Sequence, residues 1–235
     1  MTIEQSKEKL KKSGFTYFNL KDFDENEYQK LEVLKCNDTT NFQKHMTSFR
    51  GDALYNSKPD GKNSICVNDD FTTFENANLK KNEIIVNSKK FAQLWFFRGL
   101  SRVLEDANLK YSLNEYDSLV KKIIDFYFDM NPMQEYSSPS SITYYNNNCL
   151  LENHSDGTGT GRICALLIYL NETYSEEDGG ILILNNTDKV IPTFGTVAII
   201  DLQSFDIPHM VTEVVGGIGR YAILSFVRKK EDEFK

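Results

Sequence analysis

From Ser141 onward the chain breaks into short runs of β-branched and aromatic residues with Gly, Asn and Asp between them, and this texture restricts the fold class. The runs read as Ser141–Asn146, Leu150–His154, Arg162–Asn171, Gly180–Leu184, Lys189–Ile191, Thr196–Leu202, His209–Val215 and Arg220–Val227. Eight short strands at this spacing predict two packed sheets, a β-sandwich of the jelly-roll type. The connection Gly157-Thr158-Gly159-Thr160-Gly161 lacks the GK[ST] ending of a phosphate loop. No helical pattern follows to present its N-terminus to an anion.

The segment before this core has a different period. Glu4 to Lys12 is a short amphipathic helix stopped by Ser13-Gly14, and Phe15 to Leu20 reads as a strand. Asp24-Glu25-Asn26-Glu27 opens a second helix running to about Leu34. Residues 50 to 70 carry Gly51 and Pro59-Asp60-Gly61 among polar residues, which predicts a long loop or a loose hairpin. Phe91 to Ala107 is expected to be a helix whose apolar face holds Leu94, Trp95, Phe97, Leu100, Val103 and Leu104. Leu119 to Phe128 repeats that pattern until Asn131-Pro132 ends it. The expectation is a mainly β protein with supporting N-terminal helices: one domain over 1–235, with 1–138 as support and 139–230 as the β core.

Composition excludes several classes. At 235 residues, with 40% apolar and 12% aromatic residues, the chain can bury one sizeable core. Its net charge of -7 argues against a nucleic-acid partner. No apolar run reaches the roughly 20 residues of a membrane helix, and the charged N-terminus lacks a signal-peptide core, so a cytoplasmic location is the default. Cys36, Cys66, Cys149 and Cys164 show no CxxC spacing and read as buried, reduced thiols.

Chemistry concentrates in His154-Ser155-Asp156, His209 and Arg220. A His and an Asp two apart on an extended segment project to one face. A distant His added to them gives two imidazoles and one carboxylate on one side of a metal, with other positions left open. That donor set is the one used by non-haem Fe(II) oxygenases. The chain has 3 histidines, and His45 lies far from the motif, so His154 and His209 are the pair. Zinc would accept the same donors, but a zinc hydrolase or a cupin-type isomerase gives Arg220 no task.

The ordered set resembles the 2-oxoglutarate and Fe(II)-dependent dioxygenases, in their prolyl 4-hydroxylase-like branch. It runs over Tyr145, His154-x-Asp156, Arg162, Tyr169-Leu170-Asn171, Asp178-Gly179-Gly180, Pro192-x-x-Gly195, His209 and Arg220-Tyr221-Ala222-Ile223. The resemblance covers the C-terminal 90 or so residues and implies a double-stranded β-helix (jelly roll) core; the N-terminal half shares only the habit of placing supporting helices before it. It implies that His154, Asp156 and His209 bind Fe(II), which 2-oxoglutarate chelates, leaving a place for O2. Arg220 would pair with the distal carboxylate of 2-oxoglutarate, with Tyr145 and Tyr169 contacting that carboxylate or lining its pocket. Tyr144 is the substitute for Tyr145 if the strand slips by one. Arg162 stands either near the active-site mouth or in a turn-side ion pair. No catalytic side chain is expected beyond the metal centre, and ascorbate would serve as reductant.

Three departures from the family pattern leave the substrate class open: Leu224, followed by Ser225, where a Thr is common; Asn148 where a Gly is frequent; and Leu151 where an aromatic is often found. The resemblance implies hydroxylation of a prolyl or other residue in a protein or peptide, with succinate and CO2 as co-products. A free amino acid or small metabolite is the alternative substrate. A non-catalytic, metal-binding jelly-roll module is the more remote reading. The polar stretch from Phe49 to Asp70 is the expected substrate-selecting element, and oligomeric state is not legible.

Overall fold

A computed structural model describes residues 1–37, 53–56, 65–68, 95–131, 133–145, 147, 149–158, 161–217 and 219–230. Its strands, in chain order, are β1 (Phe15–Asn19), β2 (Ala53–Asn56), β3 (Ile65–Asn68), β4 (Trp95–Gly99), β5 (Tyr136–Ser137) and β6 (Ser140–Tyr145). There follow β7 (Leu151–His154), β8 (Arg162–Tyr169), β9 (Leu182–Leu184), β10 (Asp188–Val190), β11 (Thr196–Asp201), β12 (His209–Val211) and β13 (Arg220–Lys229). The helices are α1 (Ile3–Ser13), α2 (Leu20–Phe23), α3 (Glu25–Leu31), α4 (Leu100–Asp106) and α5 (Leu113–Tyr127).

The eight predicted strands are β6 to β13, and they divide between two antiparallel sheets. β6, β8, β11 and β13 join a major sheet of order β1-β11-β8-β13-β6-β4-β2-β3, with β5 pairing β13; β7, β9, β10 and β12 form a minor sheet of order β10-β9-β12-β7. The chain thus passes from one sheet to the other at almost every turn, which is the winding of a jelly roll. The expected mainly β architecture with N-terminal helices is the one observed.

The N-terminal segments extend and cover the major sheet. β1 lies antiparallel on β11, from Phe15 opposite Ile200 to Asn19 opposite Thr196. Residues 50–70 include a hairpin, β2 on β3, that continues the sheet beyond β4; the rest of the Phe49–Asp70 stretch, and His45, lie outside the described residues. One expectation is corrected. Within Phe91–Ala107, where 91–94 lie outside the described residues, residues 95–99 are a strand and the helix occupies Leu100–Asp106. The aromatic run Trp95-Phe96-Phe97 suits a strand as well as a helix, and an open edge of β6 decides between them. Phe96 pairs with Tyr144 and Gly99 with Ser141 there.

Helix α5 begins six residues earlier than the apolar pattern suggested, because Ser112 and Glu115 form a reciprocal capping box. Its buried stripe is Tyr116, Leu119, Val120, Ile123, Ile124 and Tyr127. The Tyr116 hydroxyl lies 2.7 Å from Ser225 Oγ on β13, which in turn lies 2.7 Å from Ser140 Oγ on β6. Ser6 on α1 hydrogen-bonds Tyr127 at 2.6 Å, tying α1 to the same helix. One face of β13 therefore meets α5. Because side chains alternate along a strand, Arg220 stands on the other face.

Candidate metal centre and carboxylate pocket

The two histidines meet because β7 and β12 are neighbours. His209 opens β12 directly opposite His154, the last residue of β7. Their ring centroids are 4.2 Å apart, with the rings tilted by 50°. Each Nδ1 faces a backbone carbonyl two residues earlier: Glu152 O at 2.8 Å for His154 and Ile207 O at 3.0 Å for His209. A carbonyl can only accept, so in the neutral imidazoles the proton sits on Nδ1 and the Nε2 lone pair is left for a metal.

Those lone pairs converge on Asp156. Its Oδ1 lies 3.9 Å from His154 Nε2, and its Oδ2 lies 3.7 Å from His209 Nε2. The three side chains offer ligand atoms all within 4.8 Å of one another. An ion with bonds of about 2 Å can bridge such a gap. Burial, with His154 nearby, holds the His209 imidazole below its ordinary pKa, which favours the neutral ligand form. Asp156 differs from expectation in one respect: β7 ends at His154, so the carboxylate comes from the following loop rather than from the strand face.

Arg220 opens β13 opposite Tyr145 of β6 and is 1% exposed. Its guanidinium carbon sits 4.9 Å from the ring centroids of both Tyr145 and Tyr169. Its Nη2 donates to the Tyr169 hydroxyl at 3.0 Å, while its Nε has no hydrogen-bond partner among the described residues. No carboxylate reaches it there as an ion pair. A buried, uncompensated guanidinium is costly, so this cradle suits an incoming carboxylate. Burial raises the Tyr145 and Tyr169 phenols, so both remain protonated and able to donate.

Tyr145 is the tyrosine that faces Arg220. Tyr144 is on the opposite face of β6, its ring stacked 4.7 Å from that of Tyr221. Ser225, turned to Tyr116, points away from Arg220 and does not take up the role of the missing Thr. Arg162 lies at the far end of β8 from Tyr169, its guanidinium 4.0 Å from the Phe226 ring centroid. Asn148 lies outside the described residues.

Two residues near Arg220 went unassigned on sequence grounds. Asn171 is fully buried and uses its carboxamide on both chain neighbours of Arg220, donating to Gly219 O and accepting from Tyr221 N, each at 2.8 Å. Tyr174, in the loop after β8, has a buried hydroxyl without a partner among the described residues. The motif pair Gly179-Gly180 explains how close this loop comes. A methyl group on Gly180 would sit 2.7 Å from Tyr174 Oη and 3.1 Å from Arg220 Cδ, and its φ of +60° also favours glycine.

Comparison with known proteins agrees with this architecture. Residues 140–228 match the family described as the 2OG-Fe(II) oxygenase superfamily. No curated protein matches the chain. Among solved structures, a prolyl-4-hydroxylase from Pseudomonas putida is 12% identical, with a TM-score of 0.54 over 97% of this chain and 98% of that one. A prolyl hydroxylase from Trichoplax adhaerens, in complex with a hypoxia inducible factor oxygen degradation domain peptide fragment, is 16% identical, with a TM-score of 0.56 over 97% and 89%. An oxidoreductase of the 2OG-Fe(II) oxygenase family from Burkholderia pseudomallei is 11% identical, with a TM-score of 0.53 over 97% and 91%. The β core thus matches the 2OG-Fe(II) oxygenase family model, and its fold is shared with solved prolyl hydroxylases. Among the described residues, no helix is long and apolar enough to cross a membrane.

Proposed function

We propose that this chain is a single-domain Fe(II)- and 2-oxoglutarate-dependent hydroxylase that acts on a prolyl or other residue of a protein or peptide. One observation supports this reading above the rest. Three convergent ligand atoms from His154, Asp156 and His209 share the jelly roll with a buried arginine that has no anion of its own among the described residues. A zinc hydrolase would need the first feature and not the second.

His154, Asp156 and His209 would hold Fe(II) through their three convergent ligand atoms. Arg220, with Tyr169 and Tyr145 around it, would hold the distal carboxylate of 2-oxoglutarate by charge-assisted hydrogen bonds and so point its keto acid end at the metal. Bound Fe(II) and 2-oxoglutarate would supply, with O2, the oxidising power that inserts one oxygen atom into a C–H bond and leaves succinate and CO2. The protein's share is geometry: backbone carbonyls fix both imidazoles, and the buried arginine fixes the cosubstrate. Ascorbate would keep the metal reduced, and a cytoplasmic setting fits the buried free thiols of Cys36, Cys149 and Cys164.

The peptide reading rests on the fold shared with prolyl hydroxylases, one of which holds a peptide fragment. A small metabolite is the second reading, since a shared fold does not fix the substrate. The test is succinate release with Fe(II), 2-oxoglutarate and ascorbate against proline-containing peptides and free amino acids. A peptide product one oxygen atom heavier supports the proposal. Turnover on free amino acids alone overturns the peptide assignment, and no succinate under any condition overturns the oxygenase.

A further inference from the structure

The hydroxyl of Tyr174 is a donor looking for an acceptor. It is buried, it has no partner among the described residues, and it approaches the same glycine, Gly180, as the stem of Arg220. Arg220 Nε is a second unpartnered donor. Buried polar groups in proteins are satisfied in the great majority of cases, so two orphaned donors beside each other point to a ligand rich in acceptors. Burial pushes the Tyr174 phenol up to about 12, offset in part by Arg220, so it is protonated at neutral pH. The loop itself is fastened on either side. Glu172 N donates to Cys36 O at 2.9 Å, and Val215 N donates to Asp178 O at 2.9 Å.

We propose that Tyr174 is a further carboxylate-binding residue, its hydroxyl donating to the same distal carboxylate that Arg220 and Tyr169 receive. This rests on the reading of the site as a 2-oxoglutarate pocket. Tyr174 would then help to select a diacid over a keto acid that ends in a methyl group. Gly180 permits the contact because any side chain there would stand between the phenol and the arginine.

The experiment uses the Fe(II)-loaded protein without oxygen and compares wild type with Tyr174→Phe by calorimetry. Two acids are titrated: 2-oxoglutarate, and 2-oxopentanoate, which has a methyl group in place of the distal carboxylate. The variant is expected to bind 2-oxoglutarate about ten- to a hundredfold more weakly, the effect of losing one hydrogen bond to a charged group. Its affinity for 2-oxopentanoate and for Fe(II) should not change. Without ligands, its melting temperature should equal or exceed that of wild type, since the hydroxyl removed has no partner. An unchanged affinity for 2-oxoglutarate, an equal loss for both acids, or a lower melting temperature of the ligand-free variant would overturn the role of Tyr174. Failure of wild type itself to bind 2-oxoglutarate would instead overturn the pocket and, with it, this proposal.

Discussion

Asn171 brackets Arg220: its carboxamide bonds Gly219 O on one side and Tyr221 N on the other, each at 2.8 Å. Helix and sheet ladders normally satisfy such groups; here β8 has ended at Tyr169, and a side chain continues its work. Asn171→Ala would leave a buried donor and a buried acceptor unpaired. It should destabilise the protein by about 2–4 kcal/mol. It should also weaken 2-oxoglutarate binding more than Fe(II) binding, because the disturbed backbone carries Arg220 and not the histidines. Urea denaturation and paired titrations of the two ligands check this.

Gly180→Ala tests the close approach of the loop to Arg220. The added methyl meets Tyr174 Oη and Arg220 Cδ and is forced to a φ of +60°. A loss of about 1–3 kcal/mol is expected from strain and overpacking. The same variant should bind 2-oxoglutarate more weakly, with Fe(II) affinity retained. An alanine without effect on either quantity would show the loop to be loose.

Tyr116→Phe is the contrasting case. It breaks the hydrogen bond that joins α5 to Ser225 of β13. Ser225 and Ser140 can still bond each other, so the cost should be about 1–2 kcal/mol. Because Ser225 points away from Arg220, affinities for Fe(II) and 2-oxoglutarate should stay at wild-type values. A fall in 2-oxoglutarate affinity would place Ser225 in the pocket after all.

The β core was legible because the runs from Ser141 to Val227 are rich in β-branched and aromatic residues and are separated by turn residues. The pairing that brings His154 opposite His209 is a long-range fact, and sequence could offer only the type and order of the donors. Trp95 to Gly99 was misread as helix because an aromatic run fits both periods, and an unpaired strand edge, invisible in the sequence, settles it. The capping box at Ser112 and Glu115 was a local signal that the apolar periodicity overshadowed. Asn171 and Tyr174 could not be assigned roles from their neighbours in sequence. What defines them is an unpaired backbone beside Arg220 in one case and an unpaired hydroxyl in the other.

The most direct test of the proposed centre is an anaerobic titration of the purified protein with Fe(II) and then 2-oxoglutarate, followed by visible absorption. One equivalent of each should produce the weak charge-transfer band of a chelated Fe(II) complex. The band should be absent in His154→Ala and in Asp156→Ala, and Arg220→Ala should need far more 2-oxoglutarate to reach it. Iron that binds without giving a band, or a band that survives loss of His154, would contradict the assignment of this site.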